Sequence, residues 1–149
     1  MRSFIVIMIV ATLALTASFA AAKTFAAPEF TSVDVALVKL PFAVERPAGP
    51  AGGSKSYTHG YLVRLHGTRF PATAVAWQLW FGDTRIEEYG SFDGGAYFVV
   101  YERAELDALA GKPIRVSIRA GEFHPSPAKL VVSGVDGAAM PFDQALARK

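Results

Sequence analysis

Residues 74–81, AVAWQLWF, repeat with a period of two: Val75, Trp77, Leu79 and Phe81 fall on one side of an extended chain, Ala74, Ala76, Gln78 and Trp80 on the other. A helix would return its apolar residues every three or four positions. The stretch therefore reads as a strand that turns its largest side chains into a core, and it marks the centre of that core. Gly82-Asp83 follows directly and reads as a tight turn into a short polar strand over 84–89, whose Arg85, Glu87 and Glu88 suit a solvated sheet edge.

The same period recurs on both sides. Residues 30–40 place Val33, Val35 and Leu37 on one face until Pro41 interrupts, which suits an edge strand. Residues 45–56 hold Pro47, Pro50 and three glycines with little to bury, and read as an exposed, mobile loop. In 56–66, Tyr57, His59, Tyr61, Val63 and Leu65 are expected inside, and Thr58, Gly60, Leu62, Arg64 and His66 outside. A turn over 67–71 leads to the central strand, and a turn over 91–95 leads to the continuous apolar run 96–101, which reads as a strand covered on both faces. The internal helical signal is 102–110, with Leu106 and Leu109 three apart and Gly111 as a stop. Alternation resumes at 113–119, with Ile114, Val116 and Ile118 inward, and a last strand is expected at 128–133. Beyond Gly134 the pattern weakens, and Pro141 either opens a short helix through Ala147 or begins a frayed tail.

About seven short strands, each apolar on one face, must bury those faces against one another. The expectation is an all-β, immunoglobulin-like β-sandwich with one short crossover helix. A closed barrel is the competing solution.

The N-terminus says where such a domain works. Arg2 gives a positive start, residues 4–15 form an apolar run, and Ala20-Ala21-Ala22 supply small residues for a signal peptidase, so residues 1–22 read as a helical secretory signal. Residues 4–22 carry no charge and are just long enough to span a bilayer as an uncleaved anchor, but their second half is rich in Ala and Thr and only mildly apolar, which favours cleavage. The remainder, 23–149, is the right length for one domain, with a core at about 30–134 and a tail at 135–149. The expected location is periplasmic or secreted, with no membrane span after cleavage. The chain has no Cys, so it carries neither a lipid-anchoring thiol nor a disulfide, and apolar burial has to hold the fold together. Fifteen Lys and Arg against 13 Asp and Glu leave a net charge of +2, too balanced for binding nucleic acid by counterion release.

The run YLVRLHGTRFPATAVAWQLWF, residues 61–81, with Gly82 after it, resembles the immunoglobulin-like IPT/TIG domains. It has a strand, a Gly and a nearby Phe at Leu65, Gly67 and Phe70, then a second strand ending in Phe81-Gly82. Gly52-Gly53 stands where those domains place a Gly-Gly turn, while the strand before it matches loosely. The resemblance implies a structural or binding module and no catalytic residues.

The residues themselves point the same way. His59, His66 and His124 lack the spacing of a metal site, and no nucleophile elbow, zincin motif, phosphate loop or Ser-x-x-Lys occurs. The carboxylates between Asp83 and Asp107 lie mostly in turns or on an edge strand, where solvated charge deters aggregation. No enzyme activity, cofactor or metal is expected. The most suggestive group is aromatic: with Trp77 inward, Trp80 points outward, and Trp80, Tyr89, Gln78 and Arg64 can form a flat stacking platform. The expected function is a small exported, non-enzymatic module that binds a protein or cell-envelope component. The alternative is a carbohydrate-binding module that uses this platform.

Overall fold

The computed structural model describes residues 28–69, 77–118 and 123–148. The chain is mostly β, with two sheets and two helices among these residues, a sandwich-like arrangement. The signal segment, Val75 and Arg119 lie outside the described residues.

The first sheet is built on a long hairpin, β1 (Glu29–Pro47) and β2 (Ser54–Thr68). The second begins with β3 (Trp77–Phe81), which turns through Gly82-Asp83 into β4 (Thr84–Ile86). Gly82 has φ +58°, a conformation that only glycine adopts cheaply, so the tight turn expected here forms. The chain then returns to the first sheet as the hairpin β5 (Gly90–Phe92) and β6 (Gly95–Val100). Helix α1 (Arg103–Leu109) crosses over, and β7 (Pro113–Ile118) and β8 (Phe123–Lys129) complete the second sheet. A short β9 (Met140–Pro141) and α2 (Phe142–Ala147) close the description. The strand orders are β5-β6-β2-β1-β9 and β4-β3-β7-β8.

The inner faces meet as the alternation requires. Trp77, Leu79 and Phe81 of β3 and Ile114, Val116 and Ile118 of β7 face Val63, Leu65, Ala96, Phe98 and Val100 of the other sheet. Phe81 lies edge-on to Phe98 at 5.4 Å, and Phe30 is 6.5 Å from Trp77. Leu106 and Leu109 of α1 plug the same core, so the three-residue spacing read from sequence marks the helix face that is buried. The Ser126 hydroxyl donates to the Phe30 carbonyl at 2.7 Å and ties β8 to the start of β1.

Three expectations need correction. First, the loop read at 45–56 is mostly hairpin: Val44 to Pro47 pair with Tyr57 to Ser54, and only the tip over 48–53 is loop, with Gly49, Gly52 and Gly53 at positive φ. Pro41 does not end β1, because the register shift between Lys39 and Val44 makes a bulge that absorbs it. Phe42 stands 71% exposed in that bulge. Second, β2 is covered on both sides. Leu62 and Arg64, read as outward, are buried, while His59, read as inward, is exposed. Third, the last strand runs over Phe123–Lys129 rather than 128–133. Of the two readings beyond Gly134 the short helix is the one that forms, with Pro141 at the start of α2 and Ala147 at its end: β9 pairs in parallel with Val38 and Lys39, and Ala145 of α2 is fully buried against Val38, Leu40 and Leu62. A second, smaller core therefore lies on the outer face of the five-stranded sheet.

Candidate functional site

The four residues read as a platform are not brought together. Gln78 and Trp80 lie on the outer face of the four-stranded sheet, opposite Ser117 and Arg115 of β7. Arg64 belongs to the other sheet, where its Nε donates to Asp34 Oδ1 at 2.7 Å and its Nη1 donates to the carbonyls of Ala145 and Arg148. It is a latch for α2, 8% exposed. Tyr89 turns inward: its ring lies 4.5 Å from Trp77, its hydroxyl donates to the Trp77 carbonyl, and burial pushes its pKa up. Trp80 instead meets Phe123 edge-on at 6.1 Å, with the Arg115 guanidinium 5.2 Å above the Phe123 ring. The Trp80 indole N–H is buried and has no hydrogen-bond partner among the described residues. Phe123 escaped the sequence reading because Pro125 and Pro127 look like strand breakers. They are tolerated because β8 is the last strand of its sheet, and prolines two apart give up N–H groups on one side of a strand only.

The structure assembles a different site where β2 outruns its partner. β6 pairs with β2 only from Tyr61 to His66, and its chain leaves for α1 after Val100, so residues 55–59, still paired with β1 on their other side, run past the end of β6 beside Tyr101 and Glu102. The result is a shallow, open groove of about 450 Å³ lined by Lys55, Ser56, Tyr57, Thr58, His59, Tyr101 and Glu102. Gly60 lets it form. A Cβ at that position would come within 2.7 Å of Val99 Cγ1 and 3.3 Å of the Val100 carbonyl oxygen, so a glycine lets β6 lie this close to β2 where it leaves for the groove, with the Tyr101 ring at ordinary contact distance.

Polar groups in the groove are fixed by one carboxylate. Glu102 Oε1 accepts from Lys55 Nζ at 2.7 Å and from the Tyr57 hydroxyl at 2.5 Å. The rings of Tyr57 and Tyr101 stand 5.3 Å apart, tilted by 43°. A cation covers each: Lys55 lies 5.1 Å from the Tyr57 centroid, and Arg46 lies 5.1 Å from that of Tyr101 while pairing with Glu105 at 3.4 Å. Thr58 Oγ1 and His59 Nδ1 share a hydrogen bond of 2.9 Å.

The network holds each member in its resting charge state. The Lys55 hydrogen bond, followed by that of Tyr57, lowers the Glu102 pKa, and the carboxylate raises that of Lys55. Tyr57 is raised as well, first by its bond to Glu102 and then by desolvation. At neutral pH the groove thus presents an ionised carboxylate, a charged ammonium and an un-ionised phenol. These are good hydrogen-bonding partners and poor proton shuttles, because general acid–base catalysis needs groups poised near the working pH.

His66 Nε2 lies 2.6 Å from Asp34 Oδ2, and Asp34 also holds Arg64, so this histidine belongs to the latch on α2. Among the described residues no three His, Asp or Glu side chains gather as a metal site, and no helix is long and apolar enough to cross a membrane. The groove is hard to see in the sequence because Tyr57 and Glu102 are 45 residues apart and meet only through the pairing of β2 with β6, and because Arg46, Lys55 and Ser56 fall in the stretch read as a loop. Compared with protein-family models, curated proteins and solved structures, the chain matches none.

Proposed function

We propose that this protein is a small exported, non-enzymatic binding module that takes a protein or cell-envelope component in the groove between Tyr57 and Glu102. The observation that carries the reading is the convergence of Lys55 and Tyr57 on one oxygen of Glu102. It pre-orders donors, acceptor and rings on an open surface, and pre-ordered groups lose little freedom when a ligand arrives. Export to the periplasm or medium follows from the basic, apolar, small-residue order of residues 1–22. The two-sheet architecture is compatible with the immunoglobulin-like, IPT/TIG-type assignment, which itself implies binding.

A second surface has one observation in its favour. The edge-on pair of Trp80 with exposed Phe123 leaves the outer face of the four-stranded sheet as the alternative carbohydrate platform, now without Tyr89 and Arg64.

Capture from the host's own envelope fraction separates the two surfaces. The groove reading expects a retained component that Tyr101→Ala loses and Trp80→Ala keeps. Retention by Tyr101→Ala with loss in Trp80→Ala would contradict it, as would turnover of any captured component.

A further inference from the structure

We infer that the groove over residues 55–59 is a saccharide subsite, a ligand class that deepens and rests on the binding reading above. Its lining is the first argument. Every side chain in it is a tyrosine ring, a hydroxyl, an imidazole or a charge, and no aliphatic residue takes part. Protein partners draw most of their affinity from aromatic and arginine anchors seated in fully desolvated pockets, and a shallow, open groove desolvates none. A sugar ring needs the opposite: a flat π-face against its C–H groups and polar groups at its rim.

The second argument is donor and acceptor order. Lys55 can only donate, and ionised Glu102 can only accept. They stand 2.7 Å apart, with both intramolecular donors on Oε1, so Oε2 is left to accept from a ligand. Adjacent hydroxyls on a sugar satisfy such a pair at once, one accepting from the ammonium and the other donating to Oε2. His59 and the hydroxyls of Ser56 and Thr58 continue the polar rim along the strand.

Charge is the third argument. Lys55 and Arg46 are balanced by Glu102 and Glu105, which selects a neutral saccharide over a polyanion such as a sulfated or phosphorylated chain. The groove volume lies within the range of roughly 300–1,000 Å³ usual for small-ligand sites and suits a short oligosaccharide, with its open end letting a longer chain run on.

The test uses the protein as its host processes it and four neutral probes: cellotetraose, chitotetraose, maltotetraose and mannotetraose, each titrated by calorimetry and by two-dimensional NMR. At least one is expected to shift signals of residues 55–59, Tyr101 and Glu102. Tyr101→Ala should weaken that binding by about tenfold or more, Tyr101→Phe should restore it because the ring suffices, and Glu102→Gln should weaken it while the thermal transition stays in place. Silence from all four probes, or shifts centred on Trp80 and Phe123, would overturn the saccharide assignment. If a captured polypeptide perturbs the groove while every sugar is silent, the binding reading stands and this inference falls. If neither reaches the groove, both fall.

Discussion

Glu102 carries more of the site than any other residue, and its position can be tested by pH alone. A lowered carboxylate pKa gives a contribution present above the ordinary value of 4.5 and lost as pH falls through the folded-state value. The raised Lys55 and Tyr57 contribute below their ordinary values of 10.5 and 10.0 and lose that contribution as pH rises through their folded-state values. The Tyr57–Glu102 contact is therefore expected to hold across the neutral range and to open at both extremes. All three groups face solvent, so the effect on global stability is small and the local signal is the one to read. Ultraviolet titration of the tyrosines should show two phenols, Tyr57 and Tyr89, ionising later than the rest, and Glu102→Gln should bring one of them, Tyr57, back. Ionisation of Tyr57 together with exposed tyrosines would contradict the network. Arg64 makes the second argument at this scale. Its guanidinium is committed to Asp34 and to two carbonyls at the end of α2, so Arg64→Met should cost about 1–3 kcal/mol in urea denaturation and release the C-terminal segment to protease. An unchanged midpoint would mean that the latch is idle.

At the scale of elements, period-two alternation was enough wherever a strand is buried on one face. β3 and β7 show it plainly: Trp77, Leu79 and Phe81 point inward as read, and so do Ile114, Val116 and Ile118. It misled at β2, because alternation assigns one wet face and cannot announce that a distant segment will cover it. Leu62 looks like an outward residue until α2 arrives from the other end of the chain. Leu62→Ala is expected to cost about 2–5 kcal/mol, close to what Leu79→Ala costs in the main core, since both side chains are fully buried. A cost under 1 kcal/mol at Leu62 would show that the outer core is loose. The hairpin arm failed to appear in the sequence for a different reason. Proline and glycine at its tip were given the weight of a whole loop, although Pro47 and Ser54 pair directly and the disruption is confined to six residues between them. The groove inherited that error, since it exists only because the arm is ordered.

For the whole molecule, two sheets packed through aromatic and aliphatic contacts leave the proposed binding groove at an end, where β6 departs into α1 and β2 continues. That arrangement explains why function was hard to read from the chain: Tyr57 and Tyr101 join across strands, and each alone resembles an ordinary strand aromatic. Gly60 is the hinge between stability and site. Gly60→Ala places a methyl group against Val99 Cγ1 and the Val100 carbonyl, so it is expected to cost about 1–3 kcal/mol and to push the end of β6 away from β2 beside the groove, as a paired thermal melt and ligand titration would register. The most direct measurement is a map of amide chemical-shift changes across the folded protein when its envelope ligand is added. The changes are expected to cluster on residues 55–59, Tyr101 and Glu102, with the ligand recovered unaltered. Changes gathered around Trp80 and Phe123, or a ligand recovered cleaved, would contradict a non-catalytic binding groove at the end of the five-stranded sheet.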